Sequence, residues 1–326
     1  MNPLNHLSDG ASSEKLRVIV MKHREKQRKR KAIESCSDPK AKMDEFEVAI
    51  SGIVGLHDLK MQLRRWARGM LFDEKRRAFG LHIAPRRPSH MAFLGNPGTG
   101  KTMVARVLGK LLHMVGILST DKVTEVQRTD IVGKFVGHTG PKTRRKISEA
   151  EGGILFVDEA YRLISMQKTD DKDFGLEALE EIMSAMDSGK VVVIFAGYSE
   201  PMKRVIKSNE GFCKKVTTFF YFDDFSATEL AEILHFKMNN QDQNSSLYGF
   251  KLHPSCSIPA IAELIDSEIT EKQRRGMNGG LIDPLLANAR QSLDLRIDLD
   301  CTDTDADGLV TLTMEDLGVG LRLLTR

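Results

Sequence analysis

Hydrophobic residues along the chain follow two different periods. From His90 to Phe222, short apolar runs alternate with longer segments of helical spacing, which predicts an α/β domain. Runs that are apolar at every position, such as Ile154–Val157, suit strands buried on both faces, as in a parallel sheet. Five runs are predicted to be strands: Met91–Leu94, Val123–Val126, Ile154–Val157, Val191–Ala196 and Phe219–Phe222.

Helical spacing appears both before the strands and between them. One helix is expected to follow Asp58 and to stop near Gly80, and a second, between the third and fourth strands, is expected to end at Gly189. In each, apolar side chains recur three or four residues apart. These positions are Leu59, Leu63, Trp66 and Met70 in the first helix, and Leu176, Leu179, Met183 and Met186 in the second.

After Phe222 the pattern becomes mainly helical and predicts a small helical domain. It is expected to close with a strand at Leu309–Leu312 and a last helix. Polar residues with capping potential precede each apolar helical run. These signals are Ser226 with Glu229, Ser257, Asp283 as an N-cap with Pro284 in the first turn, and Thr313 with Asp316.

Composition narrows the class of protein. The 326 residues are 41% hydrophobic and 29% charged, without the ~18–20 consecutive apolar residues of a membrane span and without a secretory signal. Four scattered cysteines form no C-x-x-C pair, which argues against a disulfide framework or a zinc site. We therefore expect an intracellular protein, cytoplasmic or nuclear, with no membrane partner. A plastid location is less favoured, because acidic residues occur early and serines are few.

The positive charge is concentrated in the N-terminal tail. Residues 1–43 hold 11 Lys and Arg against 5 Asp and Glu, a local +6 within a net charge of +3. The run Lys22–Lys31 is interpreted as a solvated helix, with a nuclear-localisation or nucleic-acid patch as the alternative. Without interleaved aromatic residues, a nucleic-acid partner is not expected.

The strongest chemical signal is a P-loop, Gly95–Thr102, which follows the first strand and opens a helix. Its glycines let backbone N–H groups turn toward phosphate oxygens, and the helix N-terminus attracts the same negative charge. Lys101 is expected to reach the β and γ phosphates, and the Thr102 hydroxyl to coordinate Mg²⁺. The predicted nucleotide-binding residues here are Gly95, Asn96, Pro97, Gly98, Thr99, Gly100, Lys101, Thr102 and Met103.

Two adjacent carboxylates follow the apolar strand Ile154–Val157. We expect Asp158 to hold the magnesium ion and Glu159 to act as the general base toward the attacking water. A GTPase would carry a base-reading N/T-K-x-D motif late in the chain, and the sequence has none. ATP with Mg²⁺ is therefore the predicted nucleotide and cofactor.

Together with these motifs, several further stretches resemble AAA+ ATPases, most closely the CbbX/CfxQ/SpoVK-like family. The resemblance covers about residues 50–326. Within the family it is greatest to the ATPase part of land-plant proteins that carry ankyrin repeats upstream; the repeats are absent here, and Asn2–Leu7 is a candidate remnant. The supporting stretches are Ile50–Leu56, Asp130–Thr143, Val157–Leu163, Phe195–Met202 and Asn209–Phe212.

The resemblance implies a fold and further site residues. The fold is a P-loop α/β domain with a five-stranded parallel sheet, in which the strand ending at Tyr198 lies between the two nucleotide-binding strands, followed by a helical lid. Tyr198 would sense the γ-phosphate or be a packed aromatic at a strand end. The resemblance also places Ile53, Val54 and Leu56 against adenine, with the core of the domain as the alternative. It places Phe135, Val136 and Gly137 in a pore loop, and for Phe135 the alternative is a core position.

Two positions depart from the family pattern. Where the family has a trans-acting arginine, in G-F-x-S-R, this chain has Lys215, which keeps the charge but loses the planar fork. Where the lid has N-A-R, this chain has Asn278 followed by two glycines, so Gly280 replaces the arginine. Arg290 lies about 15 Å further along a helix and is not expected to substitute.

These observations predict three domains: a basic helical extension at 1–49, an AAA+ α/β nucleotide-binding domain at 50–222 and a helical lid at 223–326. The expected function is ATP-driven, chaperone-like remodelling of an unidentified protein client by a homo-oligomer, most simply a hexamer. The alternative is an ATP-binding scaffold with weak or no turnover, because of Lys215 and Gly280. The acidic series Asp303, Asp305 and Asp307 is interpreted as a polar turn and not a calcium loop, since position twelve is Met314.

Overall fold

The computed structural model describes residues 39–83, 89–164, 174–208, 210–297 and 307–325. The basic run Lys22–Lys31 and the candidate remnant Asn2–Leu7 lie outside these ranges. Two compact units are present, Met1–Ile50 with Met61–Arg87, and Ser51–Lys60 with Pro88–Arg326. The domain boundaries at 49/50 and 222/223 stay predictions.

The described part of the first unit is built from two helices, α1 (Pro39–Ser51) and most of α2 (His57–Ala78). Arg64 on α2 donates to both carboxylate oxygens of Glu47 on α1, with its Nε 2.9 Å from Oε1. A second ion pair joins Lys42 and Glu74 at 2.6 Å. The predicted helix before Gly80 is thereby confirmed, with Asp58 in its first turn.

The second unit contains the predicted sheet. Five parallel strands lie in the order β2-β3-β4-β1-β5, which confirms the α/β class. As the resemblance implies, β4 pairs with both β1 and β3. The strands are β1 (His90–Gly95), β2 (Val123–Val126), β3 (Ile154–Val157), β4 (Val192–Gly197) and β5 (Val216–Phe222).

Strand β5 begins three residues before its predicted start at Phe219. Of its first residues, Val216 is buried, Thr217 is exposed and Thr218 is half-buried, and β5 lies at the edge of the sheet. A search for continuous apolar runs finds fully buried strands such as β1 and β4, and it misses the alternating start of an edge strand.

Helices follow the strands and bury the sheet. Aromatic contacts fill the core, with Phe93 and Phe220 at 5.5 Å between ring centroids and Phe195 and Phe212 at 4.6 Å. The predicted covering helix is present as α6. The helices of this part are α3 (Lys101–Met114), α4 (Arg128–Ile131), α5 (Thr139–Glu149), α6 (Phe174–Ser188), α7 (Ser199–Ser208) and α8 (Glu210–Lys215).

The residues after Phe222 form the predicted small helical domain, called the lid below. The capping box of Ser226 and Glu229 opens α9 as expected, and the Ser257 hydroxyl caps α10. A two-stranded parallel sheet joins β6 to β7. The elements are α9 (Ala227–Asn239), β6 (Lys251–Leu252), α10 (Ile258–Glu268), α11 (Glu271–Met277), α12 (Ile282–Arg296), β7 (Thr311–Leu312) and α13 (Met314–Thr325).

Three details of the lid differ from expectation. Asp283 does not cap a helix, because the 3₁₀ turn Asn278–Leu281 runs directly into α12 and Leu281 becomes the N-cap. The helix α11, opened by a capping box of Thr270 with Gln273, was not anticipated from the sequence. The last strand is shorter than Leu309–Leu312, since its first two residues lie in a 3₁₀ turn.

The acidic series before the last strand is described only at its end. Asp303 and Asp305 lie outside the described residues. The carboxylate of Asp307 lies 2.7 Å from the Lys251 ammonium and precedes the 3₁₀ turn, which is compatible with a polar turn.

His90, at the start of β1, is a buried polar residue of the sheet. Its Nδ1 accepts from the Val193 N–H at 3.1 Å, and its Nε2 lies 3.2 Å from the Met186 carbonyl, to which the neutral ring donates. Burial lowers the pKa of His90, and the nearby Lys215 lowers it further, against opposing effects of the Met186 carbonyl and Asp187. The fold therefore favours the neutral ring.

Stability is expected to fall in acid because of His90. As the pH drops below about 6.5, the ordinary pKa of histidine, the unfolded chain binds a proton that the folded chain resists until its lower pKa is reached. Denaturant unfolding at about pH 7.5 and about pH 5.5 should show this loss, and a smaller one in His90→Gln. The exposed His253→Gln serves as control and should keep the wild-type loss; an unchanged loss in His90→Gln would contradict the assignment.

Candidate nucleotide-binding site

A cavity of about 510 Å³ opens at one edge of the sheet in the second unit. The residues that follow β1, β3 and β4 line it, because the carboxyl ends of these parallel strands meet at that edge. The sequence-predicted residues in its wall are Gly95, Pro97, Gly98, Gly100, Lys101, Thr102, Met103, Asp158, Glu159 and Tyr198.

The P-loop holds its shape through internal hydrogen bonds. The Lys101 Nζ donates to the carbonyls of Gly95 at 3.0 Å and Asn96 at 2.6 Å, and the buried Thr99 hydroxyl donates to Asn96 at 2.8 Å. Burial lowers the pKa of Lys101, while Asp158, Asp224 and Glu159 oppose that effect. The cation thus lies in a partly desolvated site facing carboxylates, where a phosphate would find a strong electrostatic partner.

The lid contacts the P-loop at Gly98. The Gly98 carbonyl accepts from the Gly279 N–H at 3.0 Å. Gly98 has φ +72°, and a Cβ added there would lie 2.2 Å from the Met277 carbonyl oxygen. Both the left-handed backbone and the close approach of another chain segment therefore require glycine at this position.

The two carboxylates after β3 lie in different local environments. Asp158 Oδ1 accepts from the Glu159 N–H at 2.9 Å. Glu159 has a left-handed backbone, φ +48° and ψ +39°, and its Oε1 lies 3.2 Å from the Tyr161 hydroxyl and 3.1 Å from the Arg162 guanidinium. Burial is the main cause that raises the pKa of Tyr161, which remains a donor to this carboxylate. Backbone strain of this kind is concentrated at functional sites.

The donors available at the cavity fit a magnesium ion shared with a nucleotide. Thr102 offers a hydroxyl and Asp158 a carboxylate, both hard oxygen ligands. Within the described residues, no cluster of three or more His, Cys, Asp or Glu side chains is placed to hold a metal by itself. Mg²⁺ prefers such sparse protein ligation, because it keeps several waters and binds substrate phosphates.

Family comparisons agree with this geometry. Residues 91–221 match the ATPase family associated with various cellular activities (AAA), and residues 224–325 match a domain of unknown function, DUF8495. Stage V sporulation protein K of Bacillus subtilis is 38% identical over 193 residues, 59% of this chain and 59% of the relative. Protein CbbX of Cereibacter sphaeroides is 38% identical over 58% of this chain and 61% of its own length.

A longer match decides the family. The chloroplastic ribulose bisphosphate carboxylase/oxygenase activase of Cyanidioschyzon merolae is 33% identical over 283 residues, 84% of this chain and 88% of that protein. The chain belongs to the CbbX/CfxQ-like family of AAA+ ATPases. Membership confirms, at the level of the family, the expected enzyme class of ATP hydrolase, and it implies ATP binding. The chain spans less than two thirds of the length of the first two relatives.

Tyr198 lies where the resemblance to other CbbX/CfxQ-like ATPases suggested. It follows β4 at the cavity wall, with 37% of its surface exposed. Its ring lies 5.6 Å from that of Tyr161, between centroids. Tyr198 is thus a partly exposed residue at the end of β4, the strand between β1 and β3. Its role as a γ-phosphate sensor stays a prediction.

The segment predicted to contact adenine does not line the cavity. Ile53, Val54 and Leu56 are absent from the described residues of the cavity wall, and Ile53 and Leu56 are buried. The glycines beside them lie against α9: a Cβ on Gly52 would be 3.5 Å from Phe236, and one on Gly55 would be 2.2 Å from Glu229. The segment therefore packs against the lid of this CbbX/CfxQ-like chain, and its adenine role stays a prediction.

The predicted pore residues are strongly exposed. Phe135 and Val136 have 66% and 68% of their surface exposed, and Gly137 has φ +78°. The Phe135 ring contacts His138 edge-on at 5.6 Å. The expectation that Phe135 could be a core residue is excluded by this exposure, whereas the pore role in an AAA+ ring stays a prediction.

Lys215 is already engaged within its own chain. Its ammonium lies 2.6 Å from Asp187 Oδ2 and 2.9 Å from the Met183 carbonyl, both on α6. Lys215 is at the amino end of β5, the edge opposite the cavity. Within this chain it cannot act at the nucleotide site, so a trans role would require the ammonium to leave Asp187.

Gly280 stands at the lid position where the family pattern has an arginine, so no side chain extends from it. Among the described residues of the cavity wall, none comes from the lid. Arg290 donates to the Ser246 carbonyl and lies 4.8 Å over the Phe250 ring, so it does not replace the missing arginine at Gly280. This agrees with the distance argument from the sequence.

Sequence reasoning missed several residues near the site. Gln127 and Tyr161 line the cavity, and Asp224 contacts the P-loop amide of Asn96 at 2.8 Å. Gln127 immediately follows β2, so the rule that ligands bind beyond the carboxyl ends of parallel strands could have found it. No local sequence signal indicates Asp224, which lies 128 residues after Asn96.

The close approach at Gly98 predicts a large cost for a side chain. Gly98→Ala adds a clash with the Met277 carbonyl to the strain of a left-handed alanine, roughly 1–2 kcal/mol. Gly116→Ala is the matched control, since Gly116 has φ +71° with nothing within 4 Å of the added Cβ. Denaturant unfolding should therefore show a clearly larger loss for Gly98→Ala. Equal losses would contradict the contact between the lid and the P-loop.

Proposed function

We propose that this chain binds ATP with Mg²⁺ in the cavity, hydrolyses it, and uses the energy to remodel a protein partner as a homo-oligomeric ring. The observation that carries the proposal is the meeting of Lys101, Asp158 and Glu159 at one edge of the sheet. Family membership supports ATP binding and general remodelling activity. The proposed ring is a hexamer whose central pore receives the client.

Each group has a proposed chemical task. Backbone N–H groups of the P-loop and the Lys101 ammonium bind the β and γ phosphates, for which Lys101 must release its carbonyl partners in the loop. Thr102 and Asp158 would hold Mg²⁺, which supplies neutralisation of phosphate charge when bound. Glu159 accepts the proton of the attacking water, and Tyr198 donates a hydrogen bond toward the γ-phosphate.

The contacts of the Glu159 carboxylate affect how readily it can activate the attacking water. Its Oε1 already accepts from Tyr161 and pairs with Arg162. Both contacts occupy the oxygen that would take the proton of the attacking water, so the Arg162 pair has to open or turn away before Glu159 activates water. This pair is exposed, with 58% of the Arg162 side chain accessible, and opening it costs little.

Phe135 and Val136 suit the gripping of a polypeptide. Both are large apolar side chains exposed on a loop between α4 and α5, where exposure has no folding benefit. In a ring, such loops from neighbouring subunits would line a central passage. Because an apolar loop would grip an extended chain, the proposed client is a polypeptide with an accessible unfolded segment. The names of the relatives refer to those proteins and do not identify the client of this chain.

The second candidate function is an ATP-binding scaffold with slow turnover. Two observations favour it: the Lys215 ammonium is bound to Asp187 and to the Met183 carbonyl, and the cavity wall among the described residues contains no lid arginine. An arginine finger accounts for ~10³–10⁵ of rate in enzymes that use one. A chain without that group can still bind ATP and change its assembly.

Steady-state ATP hydrolysis tests the primary proposal. Lys101→Ala is expected to lose nucleotide binding, and Glu159→Gln to keep binding while turnover falls by about 10²–10⁴-fold, the usual contribution of a general base. Glu151→Gln, which removes an exposed carboxylate paired with Lys190, should leave the rate unchanged.

The same assay separates the two candidate functions. Turnover per chain that rises with protein concentration indicates an assembled ring, and a faster Lys215→Arg variant would identify a weakened finger. Tight ATP binding with no turnover above the Glu159→Gln rate would reject the motor and support the scaffold.

The pore assignment predicts a selective defect. Phe135→Ala should bind ATP like the wild type, because Phe135 is exposed away from the cavity, but should lose the stimulation of ATP hydrolysis by unfolded casein as a probe polypeptide. Tyr248→Ala removes another exposed aromatic, 55% accessible in the lid, and should retain the stimulation. Normal stimulation in Phe135→Ala would remove the pore assignment.

A further inference from the structure

The lid segment Met277–Gly280 lies directly on the P-loop, and the side chain of Asn278 extends that contact. Asn278 is fully buried. Its Nδ2 lies 3.1 Å from the Pro97 carbonyl, 2.9 Å from Asp224 Oδ1 and 2.8 Å from the Arg275 carbonyl. Its Oδ1 accepts from the Phe225 N–H at 2.9 Å. The two amide hydrogens are thus shared among three acceptors, and one side chain joins three segments.

Asp224 repeats the connection by a second route. Its carboxylate accepts from the P-loop side chain Asn96, at 2.8 Å to Oδ1 and 3.0 Å to Oδ2. It also accepts from Asn278 of the lid. The carboxylate therefore holds one amide from the P-loop and one from the lid, and Arg275 Nε lies 3.9 Å from Oδ2. Asp224 is in the connection between β5 and α9, where the lid begins.

The backbone at Asn278 is unusual for a residue with a side chain. It has φ +46° and ψ −136°, a conformation in which a Cβ is strained. Two glycines follow it directly. A glycine at 278 would relieve the strain, so the contacts of the Asn278 side chain have to compensate for the cost.

We propose that Asn278 is a positioning residue that couples docking of the lid to the conformation of the P-loop, directly through Pro97 and indirectly through Asp224 and Asn96. Asn278 lies two residues before Gly280, the position at which the family pattern has an arginine. The proposed coupling runs through the Asn278 amide and needs no guanidinium in the cavity. The inference rests on the proposed ATP binding. Since coupling between two events is reciprocal, ATP binding stabilises the docked lid as much as the docked lid favours ATP binding.

The test uses the full chain and a non-hydrolysable ATP analogue with Mg²⁺. Asn278→Gly keeps the backbone conformation and removes every side-chain contact, so the analogue is expected to bind about tenfold more weakly, within the usual range of coupling between sites. Hydrogen exchange in α11 and α12 should slow on analogue binding in the wild type, and this slowing should be lost in Asn278→Gly. A purely structural role would lower stability without removing the nucleotide dependence.

Asn288→Ala is the matched control. Asn288 is also a lid asparagine, and its Nδ2 donates to the Gly320 carbonyl at 3.3 Å, away from the P-loop. This variant should bind the analogue like the wild type and keep the nucleotide-dependent protection. If Asn278→Gly fails to fold, Asn278→Ala replaces it, because that change also removes the amide contacts and leaves the charge of Asp224 in place.

A double-mutant cycle examines the route through Asp224. Asn96→Ala and Asn278→Gly act on the same carboxylate, so the combined loss of affinity should be smaller than the product of the single losses. Multiplicative losses, or wild-type affinity and protection in Asn278→Gly, would overturn the inference. A wild-type chain that does not bind the analogue would instead reject the proposed function.

Discussion

Parallel pairing of β1, β3 and β4 fixes where every group of the candidate site can lie. The three strands end at Gly95, Val157 and Gly197, and their registers bring these ends to a common edge. The P-loop, the two carboxylates and Tyr198 each begin where a strand stops. Because the strands are buried on both faces, hydrophobic burial that stabilises the sheet also holds these polar groups within reach of one another. The loops that carry the candidate site residues are therefore held in place by the sheet and need few stabilising contacts of their own.

Charges at this edge balance across the cavity. Lys101 is partly desolvated, and its pKa is lowered, but three carboxylates offset part of that penalty. Asp224 is one of them, and its main contacts are the amides of Asn96 and Asn278. The Lys101 cation, which is proposed to bind the phosphates, and the network that holds the lid thus share an electrostatic environment. A change in charge at Asp224 acts on both.

Sequence reasoning succeeded where a motif is contiguous and failed where function depends on tertiary contact. The P-loop and the pair Asp158 and Glu159 are local signals whose strand context the fold confirms. The prediction of Asp283 as an N-cap was wrong, because a 3₁₀ turn runs directly into α12. That turn begins at Asn278, whose contact with the Pro97 carbonyl joins residues 181 positions apart and leaves no local sequence signal. The engagement of Lys215 with Asp187 depends on the packing of α6 against α8, and no spacing within the chain encodes it.

The contact between Gly98 and the lid has a consequence for the modular exchange of domains. Main-chain groups of Gly98 and Gly279 pair directly, and the surrounding bonds are made by Asn96, Asp224 and Asn278. A lid transplanted from another ATPase at the end of β5 would arrive without its matching partners on the nucleotide side. Recombination that preserves activity therefore has to carry the P-loop, the connection after β5 and the first lid helices together, as a single inherited block.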